Sequence, residues 1–155
     1  MIKSLAALSM LFVSFTCLAD DKTELAAADI ILNSLHDAAS KADWDRYFAL
    51  YTDDGIFLGT DVNERWAKDQ FKGYAIGSKG WVYTMRERHM AITPDKNTIW
   101  FDEVLDSASY GTSQGSGLLV KTDSGWRIAQ YHLVFPIPND LADGFTAKIM
   151  EFERK

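Results

Sequence analysis

Cys17 is the chain's only cysteine, and it lies in the first apolar stretch. If that stretch is cut away, the remainder has no disulfide, no thiolate nucleophile and no cysteine metal ligand. Only three prolines are present, so no proline-rich linker divides the chain. Basic residues are outnumbered 16 to 22 by acidic ones, and no Lys/Arg cluster interrupts the resulting charge of −6. A surface of this sign repels phosphate backbones and anionic lipid, which argues against a nucleic-acid partner. Repeats, low-complexity tracts, a phosphate-binding loop and a Gly-x-Ser-x-Gly elbow are missing as well.

One long apolar run is present, and it is N-terminal. Lys3, the apolar stretch Leu5 to Phe15 and the small residues before Asp20 together read as a secretory signal, residues 1–19, cleaved after Ala19. The run is shorter than the roughly 20 residues a membrane-crossing helix needs. Cys17 follows Ser14-Phe15-Thr16. The bulky Phe15 and the lack of a leucine set it apart from a lipoprotein signal. The mature chain is expected to be periplasmic or secreted, with no membrane attachment after cleavage. A cysteine-free chain suits such an oxidising compartment.

Residues 20–155 have the length of one domain. The full chain is 47% hydrophobic and 13% aromatic, enough apolar material for a core. Leu25, Ala28, Leu32, Leu35, Ala39 and Ala42 recur at steps of three and four, which predicts a helix over 25–42. Asp43 is placed to cap a second, short helix carrying Trp44, Tyr47 and Phe48. Thr52 to Gly55 reads as a turn before a strand at 56–58, and Trp66 to Tyr74 as a third helix. Four strands follow, at 81–93, 98–107, 113–121 and 126–135, with a looser loop at 108–115 and a terminal helix over 140–152. Helices first and strands after predict an α+β domain with helices packed on one face of an antiparallel sheet.

Alternation along the last strand puts Trp126, Ile128, Gln130, His132 and Val134 on one face, and Ala129, Tyr131, Leu133 and Phe135 on the other. Both faces are largely apolar, whereas a sheet with one wet face alternates with polar residues. A second copy of the chain is the economical cover, so a homodimer through the sheet is expected.

The pattern Ala42-Asp43-Trp44-Asp45, then Tyr51-Thr52-Asp53-Asp54-Gly55, Gly59-Thr60-Asp61 with Glu64-Arg65-Trp66, and the closing Gly125-Trp126-Arg127-Ile128-Ala129-Gln130-Tyr131-His132 resembles the nuclear transport factor 2-like superfamily, specifically its SnoaL-like branch. The resemblance spans nearly all of residues 20–155. It implies a cystatin-like cone, a curved antiparallel sheet wrapped around N-terminal helices, with a small-molecule pocket between them. Members include isomerases, dehydratases, cyclases, epoxide hydrolases and domains that only bind or assemble, so the site has to decide the function. In the steroid isomerases of this fold, the helix-one tyrosine that binds an oxyanion falls at Leu35 here, and their base falls near Gly59, with Asp61 the closest carboxylate. A leucine donates no hydrogen bond, which argues against that constellation.

Three residues are the candidates for catalysis. Glu103 shares a face with Ile99, Phe101 and Leu105, where burial favours either a raised pKa or pairing with Arg86 or Arg88. Imidazole is the side chain suited to proton transfer near neutral pH, and His132 is expected to look into the hollow, with Gln130 beside it to orient a ligand; a hydrogen-bonded core histidine is the alternative. Asp61, spaced three residues from Glu64, is either half of a capping box or a pocket-mouth carboxylate. Trp66, Tyr83, Trp100 and Tyr110 are candidate aromatic walls. His36, His89 and His132 lack metal-ligand spacing, so the chain announces no metal and no cofactor. These observations favour an exported domain binding a small apolar molecule. A cofactor-independent isomerase, dehydratase or hydrolase, or a dimerisation module without a ligand, is the alternative.

Overall fold

The computed structural model describes the backbone of residues 10–155 and the side chains of residues 20–155. The leader read at residues 1–19 therefore lies outside the residues whose side chains are described. Among the described residues, no helix is long and apolar enough to cross a membrane.

Ten elements follow in order: α1 (Met10–Ser40), α2 (Trp44–Ala49), β1 (Tyr51–Leu58), β2 (Arg65–Ala67), α3 (Lys68–Ala75), β3 (Thr84–Ile92), β4 (Thr98–Ser107), β5 (Gly111–Thr122), β6 (Gly125–Val134) and α4 (Asn139–Glu153). The architecture is α+β, as the segregation of patterns indicates. The apolar stripe of α1 is the buried one: Ala28, Leu32, Leu35 and Ala39 are all at most 2% exposed. Asp43 caps α2 by accepting from the Arg46 amide at 3.3 Å. Trp44, Tyr47 and Phe48 of α2 join the same core. Gly80 takes a positive φ of 84° beside the end of α1, where a Cβ would fall 2.4 Å from the Ala39 carbonyl oxygen. That glycine lets Trp81 return close enough for its amide to bond Ala39 O at 3.1 Å.

The six strands form one curved sheet in the order β2-β1-β6-β5-β4-β3. β3 to β6 are an antiparallel meander, while β1 lies parallel to β6. The sheet is thus mixed, because β1 enters from α2 in the direction that β6 later takes. Several boundaries differ from those read in the sequence. Thr52 to Gly55 belongs to β1, with a register irregularity against β6 between Tyr51 and Ile56. Trp66 is in β2, since Arg65, Trp66 and Ala67 pair with Leu58, Phe57 and Ile56, and this pairing delays α3 to Lys68. Trp81 and Tyr83 precede β3. The loop at 108–115 is shorter than expected, as Ser107 already pairs with Gly111.

The largest correction lies in β6. Leu118 pairs with Gln130 and Leu119 with Ile128, so Ala129 is an extra residue in β6 with no partner of its own. Such a bulge breaks simple alternation and switches the faces beyond it. Trp126 and Ile128 point into the core before the bulge, and Tyr131 does so after it. Gln130 and His132 consequently lie on the opposite, convex face.

Candidate functional site

Between the concave face of the sheet and helices α1 to α3 lies a cavity of about 480 Å³. Among the described residues eighteen line it, of which ten are Phe, Tyr or Trp and none is Lys or Arg. Phe57 and Tyr131 are register partners on β1 and β6, and their rings stack at 6.4 Å. Phe71 of α3 packs over Phe57 at 4.0 Å, and Trp66 stands beside Tyr74 at 4.6 Å. At the far side Tyr110 stacks on Phe135 at 4.5 Å. These contacts hold the rings of the wall against one another. Tyr83, half-buried in the wall, has its phenol pushed up first by burial and then by Tyr110, so it stays a neutral hydroxyl.

The polar end of the cavity is built by α1, β3, β4 and β6. Glu103 on β4 has no exposed surface. Its Oε1 accepts from His36 Nε2 at 2.8 Å and from the Tyr131 hydroxyl at 2.7 Å. Its Oε2 accepts from Arg88 Nε at 2.8 Å. Arg88 Nη2 lies 2.6 Å from Oε2 without making a second hydrogen bond, so charge holds that contact. The guanidinium also reaches back to α1, donating to Asp29 Oδ1 at 2.6 Å and to Asn33 Oδ1 at 2.9 Å. Three charge-assisted bonds of about 1.5–3 kcal/mol each offset a desolvation cost of several kcal/mol. Burial pushes the Glu103 carboxyl up, but His36, then Arg88 and the Tyr131 hydroxyl, hold it below its ordinary range. Glu103 is an ionised anchor. Burial and then the Glu103 charge raise the Tyr131 phenol well above its usual value, so its proton stays in the bond to Glu103.

Gly115 makes this arrangement sterically feasible. Register places Gly115 opposite Glu103, and a Cβ there would fall 2.3 Å from the Tyr131 hydroxyl and 2.9 Å from Glu103 Oε1. The glycine-rich start of β5 therefore clears room for a hydrogen-bonded cluster.

Sequence expectations for individual residues divide accordingly. Asp61, Trp66, Tyr83 and Tyr110 line the cavity. Glu103 sits behind its wall, with Arg88 as the ion partner, while Arg86 pairs with Asp106 on the surface. His132 does not face the hollow: it pairs across the sheet with Ser116 and Leu58, on the convex face set by the Ala129 bulge. Gln130 shares that face for the same reason. Trp100 also lies there, 47% exposed and opposite Leu118. Asp61 caps a turn: its Oδ1 accepts from the Asn63 amide at 2.8 Å, and its own amide donates to Glu64 Oε2 at 3.2 Å. A strand follows this turn, and no helix begins there.

His36 is the residue that sequence reasoning passed over. It lines the cavity next to Leu35, the position aligned with the isomerase tyrosine. A signal was available, since Asp29, Asn33 and His36 form a polar row at helical spacing immediately beside the apolar stripe. That row is what Arg88 and Glu103 engage. Among the described residues, no cluster of three or more His, Cys, Asp or Glu could hold a metal ion.

The pattern of one domain family, described as the SnoaL-like domain, matches residues 29–138. The chain belongs to this family. Solved structures agree on the fold. A ketosteroid isomerase-like protein from Erwinia carotovora atroseptica has a TM-score of 0.56 at 21% identity, covering 74% of this chain and 98% of the other. A proposed scytalone dehydratase from Novosphingobium aromaticivorans gives 0.61 at 13% identity, covering 74% and 85%. A cystatin-like fold protein from Burkholderia xenovorans gives 0.64 at 11% identity, covering 75% and 95%. No curated protein sequence matches the chain. At these identities the solved structures establish the SnoaL-like cone and leave the chemistry to the residues in it.

Proposed function

We propose that this SnoaL-like domain is an exported module that binds a small, planar, largely apolar molecule inside its cone and acts as a homodimer. The cavity itself carries the reading. Its volume falls within the range typical of small-molecule sites, and its aromatic wall presents flat apolar surface around a few polar groups. The N-terminal leader pattern and the absence of cysteine after it support export. For the dimer, the support is Trp100 and Leu118, neighbours on the convex face that are 47% and 38% exposed. Two large apolar side chains side by side on a sheet face mark a surface suited to a partner.

A second reading is a cofactor-independent acid–base enzyme. The His36–Glu103 pair favours it, because a carboxylate that orients an imidazole at a cavity wall is a recurring arrangement for proton transfer. The dehydratase and ketosteroid isomerase-like names of two neighbours are consistent with it. Binding comes first because every other polar group at that end already has a structural bond.

Native mass spectrometry of the protein purified from the bacterial envelope tests the binding reading. A small-molecule adduct that disappears on replacing Trp66 and Tyr83 with smaller side chains is the expected result. A bare mass, together with no tryptophan fluorescence response to any planar aromatic, would remove the reading.

A further inference from the structure

α4 has little of its own to hold it helical. It has 15 residues, none of them buried, and no side chain caps its N-terminus. Gly144 interrupts it. Among the described residues, every hydrogen bond of α4 stays within residues 138–155. A bare helix of this length is marginal in water, and an internal glycine weakens it further. Such a helix needs cover from outside. The family pattern ends at residue 138, so α4 lies beyond the matched cone. Leu141, Phe145, Ile149 and Phe152 recur along it at steps of four, four and three, which makes one apolar stripe. The chain path keeps that stripe off its own convex face. Phe135 lines the cavity and stacks on Tyr110, and residues 136–138 then reach at most about 11 Å.

We propose that α4 seats on the convex sheet face of a second copy, whose own α4 seats on the first, so that exchanged helices close a two-fold dimer. This rests on the dimer reading above and names the two surfaces that meet. The lengths agree. The stripe from Leu141 to Phe152 runs about 17 Å along the helix. On the convex face Ala91, Trp100, Leu118, Gln130 and Ile56 are cross-strand neighbours over five strands, a row of about 19 Å. The charges agree as well. Lys148, three residues from Phe145 and four from Phe152, borders the stripe with Lys155, and Glu153 stands on the other border. The row has Asp102 and Glu87 on one side, with the exposed His89 between them, and Arg127 on the other. Six large apolar side chains, Leu141, Phe145, Ile149, Phe152, Trp100 and Leu118, are between 38% and 77% exposed. At about 200 Å² for a side chain of this size they present roughly 600 Å² per chain, and a polar rim brings this to the roughly 800 Å² per partner of a stable interface. One two-fold rotation covers both surfaces on both copies.

Residues 20–155 contain no cysteine, so introduced thiols are read without background. Ser116→Cys places a thiol near Leu118 on the convex face, and Ala142→Cys places one beside Leu141 on α4. With a short bismaleimide at micromolar protein, the double variant should run as a covalent dimer on a denaturing gel, and each single variant as a monomer. In light scattering the full chain should be a dimer, and Phe145→Glu should reduce it to a single chain. Helical circular dichroism should fall with that change while the near-ultraviolet spectrum is kept, because Phe145 lies outside the core. Dimers from Ser116→Cys alone mean that two sheets face each other, and dimers from Ala142→Cys alone mean that two helices do. Either outcome overturns the helix exchange and leaves the dimer reading intact. An unlinked or internally linked double variant, or a Phe145→Glu protein that stays dimeric, overturns the exchange too. A full chain that is monomeric overturns both readings. The cross-linking arm leaves every core side chain in place, so misfolding of Phe145→Glu does not rescue the proposal.

Discussion

Glu103 has no exposed surface, and Arg88, its partner, has a side chain only 3% exposed. Neither ion can find water if the other is removed. Glu103→Gln should therefore destabilise the domain by about 3–5 kcal/mol, measured by urea denaturation at neutral pH, because the guanidinium stays buried with one charge fewer to face. The same carboxylate shapes the response to acid. Its folded pKa is lowered, so between the folded and unfolded values the unfolded chain binds the extra proton and stability rises with pH. Its contribution is complete above the ordinary carboxylate range and is lost as pH falls through the lowered value. Glu103→Gln should flatten that acid limb; an unchanged slope would contradict the assignment. The apolar neighbours of Glu103 on β4, and two arginines able to reach it, could be read from strand alternation. His36 could not be read in this way, because a histidine beside an apolar helical stripe gains meaning only once Glu103, far along the chain, is brought against it.

At the scale of elements, one residue decides which side chains see the cavity. Uniform alternation along β6 predicts His132 inside and Tyr131 outside, and the Ala129 bulge reverses both. Nothing in Ile128-Ala129-Gln130 signals a bulge, since Ala carries neither the positive φ nor the missing Cβ that marks a glycine bulge. Deleting Ala129 should place Gln130 directly after Ile128, opposite Leu118 and Leu119, and keep Tyr131 on the concave face. The expected outcome is a retained cooperative thermal transition in circular dichroism, because the Tyr131 bond to Glu103 and the inward aromatic row survive. Loss of that transition would show that the fold needs the bulge itself. The β2–α3 boundary has a similar origin. Trp66 fits a helical stripe by spacing, but pairing with Phe57 captures it as a strand. Propensity over a few residues yields to tertiary pairing.

For the molecule as a whole, two apolar surfaces stand out as uncovered among the described residues of a single chain. One is the convex patch of Trp100 and Leu118. The other is α4, which has no buried residue and exposes Leu141, Phe145, Ile149 and Phe152 along one side. Apolar material of this kind is consistent with assembly. If the sheet face carries the dimer, Trp100→Glu should convert it to monomer in multi-angle light scattering at micromolar concentration with little change in melting temperature. The residue is about half exposed within one chain, so its replacement costs little core. A parent protein that is already monomeric would remove the dimer from the proposal.

The helices-then-strands order apart from β2, the buried stripe of α1, the Asp43 cap and the acidic, nearly cysteine-free composition were determined by the linear sequence. They depend on residues within a few positions of one another, and periodicity or composition records such relations. The inward row of β6, the parallel seating of β1 and the meeting of His36 with Glu103 were decided only by the tertiary structure. Each joins segments separated by tens of residues, and the geometry that joins them is set by pairing register and packing across the cone.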